Sequence, residues 1–181
     1  LGVEKDLGKA VEWYKKSAEQ GHARAQNNLG WMYEEGQGVE KDFSKAVEWY
    51  KKAAEKGDAT AQNNLGVMYE KGQGVEKDLS EAVEWYTKAV KQGYARAQNN
   101  LGVMYKNGQG VAKDDKTAIK WFTQAAVQGN AGARNNLGLM YKYGQGVEKD
   151  LNKAVEFFTQ AAEKGDATAQ NNLGRMYDEG Q

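Results

Sequence analysis

The residues able to do acid–base or nucleophilic chemistry are few. The chain of 181 residues contains a single histidine, His22, and no cysteine. A thiolate nucleophile, a thiolate metal site and a disulfide framework are therefore excluded. One imidazole is a poor basis for a triad or a histidine metal site. The three serines, Ser17, Ser44 and Ser80, all fall on segments with a helical pattern. None sits on the strained turn that a nucleophile requires. Gly-Gln-Gly occurs at 36–38, 72–74, 108–110 and 144–146. A phosphate-binding fingerprint would need a strand before it and a third glycine opening a helix, and neither is present. Asp114-Asp115 lacks the spacing of a calcium loop. No catalytic residue, cofactor or metal is expected.

What remains is a set of residues suited to recognition. The amides Asn27, Asn63, Asn99, Asn135 and Asn171 recur every 36 residues. Such a row offers regularly spaced donors and acceptors to an extended peptide backbone. It could equally bond neighbouring helices and hold a stack together. Nearby positions vary strongly. One reads Trp31, Val67, Val103, Leu139, Arg175, and another Glu34, Glu70, Lys106, Lys142, Asp178. A third reads Arg24, Thr60, Arg96, Gly132, Thr168, and Tyr143 lies alongside. Apolar side chains on an otherwise solvated face, flanked by charge, mark a binding surface. The expected peptide-binding set is Asn27, Trp31, Asn63, Val67, Arg96, Asn99, Val103, Lys106, Asn135, Leu139, Lys142 and Tyr143. Arg96, Lys106 and Lys142 make its middle mildly basic, which suits a partner with acidic residues.

The elements that must position these residues follow from the period. Ala25-Gln-Asn-Asn-Leu-Gly30 recurs from Ala61, Ala97 and Ala169, and from Ala133 with Arg134 in place of the glutamine. Within 58–93 the apolar spacing is helical twice over. Ala61, Leu65, Met68 and Tyr69 predict a first helix, A, over 59–71. Leu79, Ala82, Val83, Tyr86 and Ala89 predict a second, B, over 79–92. Gly72 and Gly74 break the pattern between them. Asp78 suits the N-cap of B, with Glu81 completing a capping box. Asp6, Asp42, Asp114 and Asp150 cap without it. Gly93 ends helix B, and Asp58, Asn130 and Asp166 suit the N-cap of helix A. His22 falls at that same cap position, which gives it a structural reading. Gly66 removes a side chain where A crosses B, while Trp85 and Tyr86 fill gaps between units. Trp13, Trp49, Trp85 and Trp121 form a row of inter-repeat packing. Glu84 and Lys88 suit an i,i+4 pair on the outer face of helix B.

The segments Ala-Gln-Asn-Asn-Leu-Gly-x-Met-Tyr (61–69), Gly-Gln-Gly-Val-x-Lys-Asp (72–78) and Ala-Val-Glu-Trp-Tyr-x-Lys-Ala (82–89) resemble the Sel1-like repeat family. That family is a relative of the tetratricopeptide repeats, and the resemblance covers the whole chain. It implies an all-α, right-handed superhelical solenoid of antiparallel helix pairs, a scaffold for protein–protein contacts. By analogy with tetratricopeptide stacks, helix A would line the concave groove. The departures are Phe157-Phe158 for Trp-Tyr, Ala112 for Glu, and Asp115 on the apolar face at the start of a helix B.

The expected organisation is one repeat array over 1–181. It comprises a half unit 1–24, full units 25–60, 61–96, 97–132 and 133–168, and a half unit 169–181. The function expected is a non-catalytic scaffold that binds a protein or peptide segment. The alternative is a structural or engineered array without a natural ligand. Near-identical units suit the second reading, and the drift at Asp115 and Gly132 suits a natural gene. With 25 basic and 25 acidic residues the net charge is +0, so neither nucleic acid nor an anionic membrane is an expected partner. No apolar run approaches the ~20 residues of a membrane span. The half units leave Leu7, Val11 and Tyr14 at one end, and Leu173, Met176 and Tyr177 at the other, short of cover. Head-to-tail self-association is therefore expected, through a heterologous contact.

Overall fold

The computed structural model describes residues 4–180. Among these, every regular element is a helix: α1 (Leu7–Glu19), α2 (Ala23–Glu35), α3 (Phe43–Glu55), α4 (Ala59–Lys71), α5 (Leu79–Val90), α6 (Ala95–Asn107), α7 (Asp115–Val127), α8 (Ala131–Tyr143), α9 (Leu151–Ala162) and α10 (Ala167–Asp178). Even-numbered helices are of the A type and odd-numbered ones of the B type. The expected loop at Leu1-Gly2-Val3 and at Gln181 lies outside the described residues. The chain forms two compact units, Leu1–Gln92 with α1–α5 and Gly93–Gln181 with α6–α10.

Each helix starts where the sequence supplies a cap. The Asp42 side chain accepts from the Lys45 amide, and Asp6, Asp114 and Asp150 do the same for their helices. Asp78 accepts from the amides of Ser80 and Glu81, but the reciprocal half of the expected box is pre-empted. The Asp78 amide donates to the carbonyl of Tyr69, 3.0 Å away. The same bond recurs from Asp42 to Tyr33, Asp114 to Tyr105 and Asp150 to Tyr141. It ties the start of each helix B to the end of the preceding helix A and sets the loop between them. Helix α5 stops two residues short of the expected 92: the Gln92 amide donates to the Ala89 carbonyl, three residues back, and so tightens the last turn ahead of Gly93 at φ +77°. Helix α10 ends at Asp178, with Glu179 as its C-cap.

Two glycines show what the helix pairs demand. A Cβ on Gly66 would stand 2.6 Å from the Tyr86 ring, so α4 crosses α5 with no room for a methyl group. Tyr86 therefore fills the gap inside a pair rather than between pairs. Gly30 meets Tyr50 in the same way, as do Gly102 with Phe122 and Gly138 with Phe158. Gly74, at φ +71°, would place a Cβ 2.3 Å from the Phe43 carbonyl oxygen. The A-to-B loop thus packs on the first turn of the previous helix B, in a backbone conformation that favours glycine.

The core of the first unit is centred on Tyr50, Leu65, Met68 and the small Ala46, Ala53 and Ala61, with Trp85 closing it. The core of the second is centred on Phe122, Leu137 and Met140 among Ala118, Ala125 and Ala133. Asp115 begins α7 despite its place on the apolar face. Its side chain stays 23% exposed, with Oδ1 3.8 Å from the Lys113 ammonium. The tryptophan row grades from exposed Trp13 (66%) to buried Trp85 (8%). Lys88 lies over the Trp85 ring, 3.6 Å from its centroid, and no ion pair to Glu84 forms among the described residues.

Candidate protein-binding faces on the A helices

The asparagine row is engaged inside each unit. Asn64 donates through Nδ2 to the Asn27 Oδ1 at 3.1 Å in the first unit. In the second, Asn136 donates to Asn99 at 3.0 Å and Asn172 to Asn135 at 2.8 Å. Asn27, Asn63 and Asn135 are buried at 9%, 4% and 7% exposure. Of the two readings of this row, the ladder between successive A helices is the one formed. A ladder of this kind satisfies carboxamides that burial would otherwise penalise.

The position of Glu34 and Glu70 has a role that spacing alone did not suggest. The Tyr50 hydroxyl donates to the Glu34 carboxylate at 2.5 Å, and Tyr86 to Glu70 at 2.5 Å. Burial pushes the Tyr50 phenol above its ordinary range, and the Glu34 hydrogen bond adds to it. The second unit replaces both partners together. Phe122 and Phe158, which have no hydroxyl to donate, stand with Lys106 and Lys142. That paired exchange was readable in the sequence.

Lys106 and Lys142, though equivalent, differ in surroundings. Lys142 is buried to 9% exposure and donates to the Glu179 carboxylate at 3.2 Å. Glu179 also takes Arg175 at 3.1 Å, and these two partners, Lys142 first, hold it below the usual carboxylate range. Lys142 is thus occupied within the chain and is not a freely presented groove residue. Lys106 is half-buried, and burial lowers its ammonium below the ordinary lysine value, with Asp115 only partly offsetting this.

The variable apolar positions divide by exposure. Val67, Val103 and Leu139 are half-buried. Val103 packs on the core around Phe122, and Leu139 on that around Phe158 and Met176. Trp31 is 43% exposed in the first unit and Tyr143 is 59% exposed in the second. Arg96 is exposed. His22 takes the N-cap position of α2 without a side-chain bond to the helix. No group of metal-ligating side chains is found among the described residues. No described helix is long and apolar enough to cross a membrane.

The chain matches the Sel1 repeat family model over residues 1–22, 23–58, 59–94, 95–130, 131–166 and 167–181. Among solved structures it is similar to a Sel1 repeat protein from Oxalobacter formigenes. The identity is 39% and the TM-score 0.95, over 100% of this chain and 72% of that one. It is also similar to c5321, a protective antigen of uropathogenic Escherichia coli with the same repeat fold. There the identity is 40% and the TM-score 0.86, over 98% of this chain but only 38% of that one. A further likeness, at 29% identity and TM-score 0.65, is to the immunity protein Pa5087 of Pseudomonas aeruginosa, over 92% of this chain and 62% of that one. No curated protein matches the chain. With a 36-residue helix pair recurring through ten helices and the family model matched from end to end, the chain belongs to the Sel1 repeat family.

Proposed function

We propose that this protein is a non-catalytic scaffold that binds a protein segment on the exposed face of its A helices. Sel1 repeat proteins are generally protein-interaction scaffolds, which sets the class. The observation that carries the finer reading is the exposure of two large aromatics, Trp31 at 43% and Tyr143 at 59%. Packing inside the repeat does not account for them. The equivalent of Trp31 is a half-buried Val or Leu at 67, 103 and 139, and the equivalent of Tyr143 is charged or polar elsewhere. Rigid aromatics of this kind are the side chains that dominate binding energy at interfaces.

The recognition set expected from sequence divides accordingly. Trp31, Val67, Arg96, Val103, Lys106, Leu139 and Tyr143 are the residues for contact. Asn27, Asn63, Asn99 and Asn135, with Lys142, serve the face from beneath by fixing the spacing of the A helices. A partner from a two-hybrid screen should bind Trp31→Ser/Tyr143→Ser about tenfold or more weakly, with an unchanged melting curve. Unaltered affinity would move the site to the B helices or the loops.

A further inference from the structure

In the second unit α6 and α8 carry four basic side chains, Arg96, Lys106, Arg134 and Lys142, and no acidic one. The equivalent α2 and α4 of the first unit carry Arg24 and Lys71 against Glu34, Glu35 and Glu70. The two sets of A helices therefore differ in sign.

Within that basic set, one ammonium lacks what its counterpart has. Lys142 finds Glu179, 37 residues further on, at 3.2 Å. The residue 37 positions after Lys106 is Tyr143, which has no carboxylate to offer. No carboxylate lies within ion-pair distance of Lys106 among the described residues, and nearby Asp115 is 3.8 Å from Lys113 instead. Lys106 is half-buried all the same, and burial depresses its pKa. A partly desolvated ammonium without a close counter-ion gains more from an incoming carboxylate than a solvated one does. Beside it in sequence and register stand half-buried Val103 and Leu139 and exposed Tyr143.

Building on the scaffold reading above, we propose that the A-helix face of the second unit takes an acidic segment of a partner protein. An Asp or Glu side chain of that segment pairs with Lys106, in the role that Glu179 plays for Lys142. A neighbouring apolar side chain rests against Leu139 and Tyr143. Lys106 fixes the charge preference, and the aromatic and aliphatic residues supply the buried area.

The test is selection from a displayed dodecapeptide library in which both peptide ends are fused, so that no free terminal carboxylate contributes. Peptides recovered by the whole chain should combine Asp or Glu with an aromatic or aliphatic residue. A recovered peptide, synthesised with blocked ends, should bind Lys106→Met about tenfold more weakly. Polyglutamate should compete poorly. A second pair of variants guards against a mere folding defect. Tyr143→Glu places a carboxylate where Lys142 has one, so it should melt higher than Tyr143→Gln while binding the acidic peptide more weakly than that variant does.

Recovered peptides without acidic enrichment, equal affinity for Lys106→Met, or equal melting of the two Tyr143 variants would each overturn the proposal. So would competition by polyglutamate as strong as by the peptide itself. If the recovered peptides are neutral yet lose affinity on Trp31→Ser or Tyr143→Ser, the scaffold reading survives and the acidic preference falls. Recovery of no peptide at all would count against both.

Discussion

Tyr50 shows how one hydroxyl settles what its neighbours can be. It is fully buried, and its hydroxyl donates to the Glu34 carboxylate. Replacing it with Phe removes that donor and leaves the carboxylate to find water in a half-buried site. Denaturant melts of Tyr50→Phe should show a loss of about 1–2 kcal/mol. The raised phenol pKa has a consequence with a definite sign. The folded state holds a proton that the unfolded chain releases near the ordinary value of 10.0. The stability gained from that proton is complete below pH 10 and falls as the pH rises past it. Tyr50→Phe should flatten this alkaline limb of the melting temperature, and an unchanged limb would reject the assignment. Gly66 is the opposite case, a residue legible from sequence alone. Its place on the A helix marked the crossing, and a Cβ there meets the Tyr86 ring at 2.6 Å. Gly66→Ala should cost about 1–3 kcal/mol by overpacking. The role of Glu34 was less legible, because a helical wheel gives a direction but not how far a long side chain folds back over its own helix pair.

At the scale of the helix, the caps distinguish equivalent elements. Asp58, Asn130 and Asp166 each accept a backbone amide at the start of an A helix, whereas His22 and Tyr94 in the same place accept none. His22→Asp should therefore stabilise the protein by about 0.5–1 kcal/mol, and Asp58→Ala should destabilise it by about 1 kcal/mol. Opposite signs in denaturant melts are the check. Helix identity and helix starts could be read from period, caps and glycines, since these signals are local. The end of α5 could not, because its last turn tightens where the Gln92 amide takes the Ala89 carbonyl, and no residue type marks that change. Nor could the choice between the two uses of the asparagine row. Both uses place the amide on the same side of the helix, and only the spacing of successive A helices brings Asn64 onto Asn27.

Over the whole molecule, stability in a repeat array is close to a sum of terms for each unit and its neighbours. Leu101 is buried to 2% exposure, whereas Leu173 is only half-buried. Leu101→Ala should cost about 2–5 kcal/mol, as cavity-forming changes do, and Leu173→Ala clearly less. Equal costs in denaturant melts would contradict a nearest-neighbour array. The same architecture leaves the A-helix faces free to vary above a constant frame of Ala, Leu, Met and Asn, and that is where Trp31, Lys106 and Tyr143 lie. The most direct measurement of the scaffold account is site-specific photocrosslinking. A photoreactive phenylalanine analogue is placed at 31 or 143 on the A-helix faces, or at 48 or 84 on the B helices, in cells that make the protein. Adducts of one defined size at 31 and 143, and none at 48 and 84, are the predicted result. Adducts confined to 48 and 84, or adducts at no position, would contradict it.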